Sequence, residues 1–132
     1  MAGDYRVDTL AVPETVNLLH DLLDRVRVDH PDVKSTDLML FETAVIEIAN
    51  NVVEHGTPPG TVKYSFTLEV QPDRLCGQLS NGGPALPELR FSMPAVDSEE
   101  GRGLALAKMA LDELEYARVG DHNEWTMTRV RR

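Results

Sequence analysis

EIANNVVEHG (residues 47–56) reads as the end of a helix, yet two adjacent asparagines, Asn50 and Asn51, sit in its middle. Asn is a poor helix former because its side chain competes for backbone hydrogen bonds, so something besides helix stability holds it there. At about 100° per residue, positions four apart advance by only about 40°. Glu47, Asn51 and His55 therefore form one narrow polar stripe, while Leu38, Phe41, Val45, Ile48, Ala49 and Val52 make a broad apolar face. On the helical wheel the stripe borders that face, with His55 nearest to it and Glu47 farthest. A cleft wall belongs at such a border, and so does the polar margin of an ordinary amphipathic helix. One metal ion cannot join the three groups, because Glu47 and His55 are separated by about 12 Å of helix. The spacing better suits a carboxylate acting as general base, with an amide oxygen one turn on that completes the shell of a magnesium ion held by substrate phosphates. Such phosphoryl-transfer chemistry needs a phosphate cradle elsewhere in the chain.

EEGRGLALAKMALDEL (99–114) offers one. Gly101 and Gly103 flank Arg102 where a helix is expected to begin, near Gly103. Glycines admit an anion close to the backbone, helix N-terminal amides favour negative charge, and Arg102 adds a fork of donors. The same glycines would serve a capping turn, and the pattern is neither the P-loop nor G-x-G-x-x-G. A third stretch, LSNGGPALP (79–87), follows a strand and by itself marks a tight turn.

Outward from these motifs the chain reads as strand (5–12), helix (13–30), helix (from Ser35 or Thr36 to about Glu54), hairpin (61–70 and 74–80), a proline-bearing loop (81–100), helix, and a closing hairpin, LEYARV and EWTMTRV. Pro13 suits a first helical turn, and Val16, Leu19, Leu22, Leu23 and Val26 recur at helical spacing. TVKYSFTLEV (61–70) alternates strictly, with Val62, Tyr64, Phe66, Leu68 and Val70 on one face, so one side of its sheet is wetted. Helices kept apart from the strands predict an α+β two-layer sandwich, a mixed, mostly antiparallel sheet with helices on one face.

The 132 residues, 42% of them hydrophobic, make one domain with a single core. A net charge of −9 is the wrong sign for displacing counterions from nucleic acid, so no direct nucleic-acid binding is expected, whereas a basic protein surface would suit this field. The single cysteine, Cys76, excludes an internal disulfide and a thiolate metal cluster. No signal peptide or membrane span is expected, which predicts a cytoplasmic protein.

Taken in order, E-x-x-x-N-x-x-x-H-G on a helix, a glycine turn after a strand, and a loop ending in G-R-G-L-A-L resemble the GHKL ATPase superfamily, and within it the bacterial anti-sigma-factor serine kinases. The resemblance spans nearly the whole chain. It implies ATP and Mg2+ as cofactors, Glu47 as catalytic base, Asn51 as the magnesium-coordinating asparagine and His55 as the histidine that closes that helix. Gly101, Arg102, Gly103 and Leu104 match the glycine box around the nucleotide phosphates, and residues about 85 to 100 match the ATP lid. The family's first glycine box, D-x-G-x-G or D-x-G-x-P, carries an aspartate that accepts the adenine amino group. The corresponding register here is Ser80, Asn81, Gly82, Gly83 and Pro84, so that base contact is missing or runs through water or Asn81. A Thr that relatives place near adenine on the last strand aligns with Glu124. The resemblance implies two protein partners, a sigma factor and a STAS-type anti-anti-sigma protein, and suggests a homodimer through the sheet edge near the N-terminal strand. A fold-sharing binding module without catalysis is the alternative. The ATPase half of a sensor histidine kinase is disfavoured, because no dimerisation helix or phospho-accepting histidine segment precedes residue 13.

Overall fold

Strict alternation and helical periodicity become two layers in the computed structural model, which describes residues 4–55, 61–85 and 99–132. The strands are β1 (Asp4–Leu10), β2 (Lys63–Val70), β3 (Arg74–Asn81), β4 (Glu113–Val119) and β5 (His122–Val130); the helices are α1 (Val16–Asp29), α2 (Ser35–His55) and α3 (Glu99–Ala110). The sheet has five strands in the order β1-β2-β3-β5-β4, and every described ladder is antiparallel rather than mixed. All three helices lie on one face, as the segregation of elements predicts.

The helix expected from Pro13 begins with a 3-10 turn, Pro13–Thr15, before α1 proper. The Thr15 hydroxyl, at 2.7 Å from the Leu10 carbonyl and 2.8 Å from that of Val12, holds this turn against the end of β1. Val16, Leu19, Leu22, Leu23 and Val26 then point into the core. From α2 come Leu38, Phe41, Val45, Ile48, Ala49 and Val52; from the sheet come Tyr64, Phe66, Leu68, Leu75, Leu79, Trp125 and Met127. Each large apolar side chain buried this way stabilises the fold by about 1.5–3 kcal/mol relative to leaving it exposed.

Two features set the height and direction of α2. A Cβ on Gly77 would stand 3.0 Å from the Phe41 ring, so the bare strand at Gly77 lets α2 press onto β3. At its start, Asp37 is buried beside Arg129 of β5 (3.1 Å) and accepts the Arg132 backbone N–H at 2.8 Å. Arg129 also donates to the Ala110 carbonyl at 2.9 Å, which ties the end of α3 to the same point. No described helix is long and apolar enough to cross a membrane.

Candidate functional site

Tied at Asp37, Arg129 and Ala110, α2 and α3 run back antiparallel, so that Gly103 meets Glu47. A Cβ on Gly103 would lie 2.7 Å from Glu47 Oε2 and 3.8 Å from its Cδ. The carboxylate thus occupies the place of a side chain that Gly103 does not have. Glu47 is half-buried in this seam and not at the outer pole of α2, where its helical angle alone puts it; the neighbouring helix covers it. One turn on, Asn51 is 9% exposed, and its amide makes no hydrogen bond to another described residue. His55 ends α2, half-buried. Asn50 is exposed on the far side, as its angle predicts.

The glycine-flanked segment differs from its expected form. α3 already begins at Glu99, so Gly101, Arg102 and Gly103 belong to its opening turns and do not precede it. Glu99 and Glu100 are good helix formers whose charges favour a helix N-terminus. Leu104 is 1% exposed and packs in the core, where it anchors α3. The side chain of Arg102 and residues 86–98, which contain most of the expected lid, lie outside the described residues.

The strand β3 divides the residues expected to form the first glycine box between the two faces of the sheet. Successive strand side chains alternate faces, so a one-residue slip moves a group to the opposite side. Leu75, Gly77, Leu79 and Asn81 face the helices; Ser80 faces away, paired across the sheet with Ser65 and Glu124. Ser80 lines a groove of about 660 Å³ with Asp8, Leu10, Lys63, Tyr64, Ser65 and His122, and Asn81 and Gly82 border the same groove. Glu124 shares the outer face with Ser80 and accepts from or pairs with His122 at 3.3 Å. Neither Ser80 nor Glu124 shares a side of the sheet with Glu47 and Asn51, whereas their neighbours Asn81 and Asn123 do. The two glycines after Asn81 also separate. A Cβ on Gly82 would meet nothing within 4 Å, whereas Gly83 has φ +94° and would press Val62 at 3.2 Å. The glycine required by backbone conformation is Gly83.

Around Asn81 stands a polar cluster that the sequence reading missed. Trp125 Nε1–H donates to Asn81 Oδ1 at 3.2 Å, and Asn81 Nδ2 donates to the Gly82 carbonyl at 2.7 Å. Asn123, 4% exposed, accepts from the Tyr116 hydroxyl (2.5 Å) and from Arg118 (3.2 Å) and donates to the Pro84 carbonyl (3.0 Å). Arg118 donates to the Gly83 carbonyl at 2.7 Å. The closing hairpin therefore pins the turn 82–84 by its backbone oxygens. The signal lay in the sequence: Trp125 and Met127 must face the core, which turns Asn123 inward as well.

Among the described residues no group of three or more His, Cys, Asp or Glu could hold a metal ion. A cation at Asn51 would need most of its ligands from a substrate, as magnesium commonly does.

A family profile described as "Histidine kinase-like ATPase domain" matches residues 9–129. No curated protein matched in sequence. Among solved structures, the RsbU and RsbW domains of Rv1364c from Mycobacterium tuberculosis align with TM-score 0.70 at 16% identity, over 98% of this chain and 32% of that one. The chain thus spans about a third of that protein's length. The catalytic domain of histidine kinase ThkA aligns with TM-score 0.60 at 11% identity over 96% of both chains. Acinetobacter baumannii histidine kinase AdeS aligns with TM-score 0.53 at 14% identity, over 96% of this chain and 68% of that one. At these identities the likeness is one of fold.

Proposed function

Since the chain belongs to the histidine kinase-like ATPase domain family, we propose that it is an ATP-dependent serine/threonine protein kinase of the anti-sigma-factor type, which phosphorylates a STAS-type anti-anti-sigma partner and otherwise sequesters a sigma factor. The observation that carries this reading is the seam between α2 and α3: a carboxylate, Glu47, seated on a glycine of the helix that follows the lid segment, with an uncommitted amide, Asn51, one turn away. These residues fit a magnesium nucleotide. Gly103 leaves room for the Glu47 carboxylate to sit beside the opening turns of α3, and Asn51 keeps its amide oxygen for a ligand.

When bound, ATP supplies the phosphoryl group and magnesium offsets its charge. Glu47 orients the acceptor hydroxyl of the partner's serine or threonine and takes its proton on a carboxylate oxygen. Asn51 Oδ1 would hold the magnesium ion, and His55 closes the same wall of the cleft. The free amides of the first turn of α3, up to Gly101, with the Arg102 guanidinium, stabilise charge on the phosphates. Leu104 keeps that backbone in place from the core side. A net charge of −9 favours encounter with a basic partner surface.

The test joins calorimetry of ATP binding, with and without magnesium, to phosphate incorporation into a STAS-type substrate. Magnesium-dependent binding with transfer is the expected result. Binding without transfer would favour a second reading, a partner-binding module that has lost catalysis, which the amide at Asn81 in place of a carboxylate favours. Absence of heat with any nucleoside triphosphate up to millimolar concentration would overturn the kinase reading.

A further inference from the structure

Resting on the nucleotide-binding reading above, we infer that Asn81 is the base-contacting residue of this cleft and that its amide admits guanine about as readily as adenine. Asn81 ends β3 facing the helices and is 8% exposed. An amide has two N–H donors and two acceptor lone pairs. Trp125 Nε1–H uses one lone pair and the Gly82 carbonyl uses one N–H. One donor and one acceptor remain on the same amide. The other inward amide of the sheet, Asn123, cannot substitute for it: it spends both oxygen lone pairs on Tyr116 and Arg118 and one N–H on Pro84.

A donor beside an acceptor is what each purine presents in complementary form. Adenine offers its N6 amino donor next to the N1 acceptor; guanine offers its N1–H donor next to the O6 acceptor. Asn81 can meet either edge with two hydrogen bonds once the base has shifted in the cleft. A carboxylate at the same position would carry acceptors only and would repel guanine O6, rejecting it by leaving a buried polar group opposed. Nothing of that kind stands at Asn81. Trp125 and the Gly82 carbonyl also hold the amide in one orientation, so the paired groups are preset and not shared between two flips.

Trp125 is the chain's single tryptophan and touches Asn81, so its fluorescence reports occupation of this subsite directly. MgATP and MgGTP are titrated against the intact chain by calorimetry and by Trp125 emission. The inference expects the two dissociation constants to agree within about tenfold, and Asn81→Asp to shift the ratio towards ATP by at least about tenfold. Ser80→Asp, on the outer face, should leave both affinities unchanged. A parent chain that prefers ATP by more than tenfold would overturn the inference while leaving the nucleotide reading intact, as would a ratio that responds to Ser80→Asp and not to Asn81→Asp. Should Asn81→Asp fail to fold, the ratio in the parent decides alone. If neither nucleotide produces heat or a change in Trp125 emission, the nucleotide reading itself is wrong.

Discussion

Gly103→Ala separates stability from chemistry more sharply than removal of the proposed base. The added Cβ would lie 2.7 Å from Glu47 Oε2, short of ordinary contact by roughly 0.5 Å or more on the usual carbon–oxygen spacing. The obstructing atom is the far end of a flexible side chain, so the carboxylate swings aside and the backbone stays. That rotation costs tenths of a kcal/mol, whereas replacing a helical glycine by alanine contributes about 0.8–1 kcal/mol. Gly103→Ala should therefore melt at the same temperature as the parent or a few degrees higher. Phosphoryl transfer should nonetheless fall by about 10²-fold, since a displacement near 1 Å of a reacting group is worth that much. The assay is phosphate incorporation into the partner beside a thermal melt, repeated in a Glu47→Gln background. There Gly103→Ala should add little further loss, because the group it displaces is already disabled. A Gly103→Ala variant that transfers phosphate at the parental rate would refute the positioning of Glu47 by α3. A stability loss above about 2 kcal/mol would show that the Cβ meets something rigid.

Glu47→Gln should change stability by a few tenths of a kcal/mol and lower phosphoryl transfer about 10²-fold, while Asn51→Ala should weaken magnesium-dependent nucleotide binding itself; calorimetry that shows full affinity for Asn51→Ala would remove its metal role. Asp37→Ala leaves the Arg129 guanidinium buried without its carboxylate, and urea unfolding should show a loss of about 3–5 kcal/mol; a loss below about 1 kcal/mol would mean that the Ala110 carbonyl and water suffice. The Arg132 guanidinium at 2.5 Å, helped by the Val130 backbone N–H at 2.6 Å, holds the Asp112 carboxyl below the usual carboxylate range. With the folded value depressed, this contribution is complete above the ordinary value of about 3.9 and is lost as pH falls through the depressed one. The gap in melting temperature between parent and Asp112→Asn should therefore close below about pH 4, and a gap that persists to strong acid would contradict the assignment.

The two-layer α+β architecture was legible because both periods were strong: Val16 to Val26 repeats at helical spacing, and Tyr64, Phe66 and Leu68 alternate without a break. The stripe of Glu47, Asn51 and His55 was legible for the same reason, although the exposure of Glu47 was not, since a helical wheel knows nothing of the helix that packs beside it. The phase of β3 was a closer matter. Asn-Gly-Gly drew the register towards Ser80, but Leu75 and Leu79 must face the core, and a period of two then puts Asn81 with them. The same rule applied to Trp125 turns Glu124 outward. Strand order, and the reach of Arg118 and Asn123 to the turn at Gly83 and Pro84, join segments more than thirty residues apart, and no local pattern encodes such pairings.

Mechanically, α3 is a cantilever. Its root is clamped: the Ala110 carbonyl is held by Arg129, and the next backbone amide but one, Asp112 N–H, bonds the Thr128 carbonyl at 2.8 Å. Towards its free end, Gly103 bears on Glu47, and between root and that point Ala107 and Ala110 are buried. The lever arm from Ala110 to Gly103 is about 10 Å at 1.5 Å per residue, so a tilt of about 5° carries Gly103 nearly 1 Å, the scale on which reacting groups lose alignment. Stiffness at the root thus becomes precision at Gly103. A fault at Arg129, remote from any nucleotide, would be felt as blurred placement of Glu47 before it was felt as unfolding.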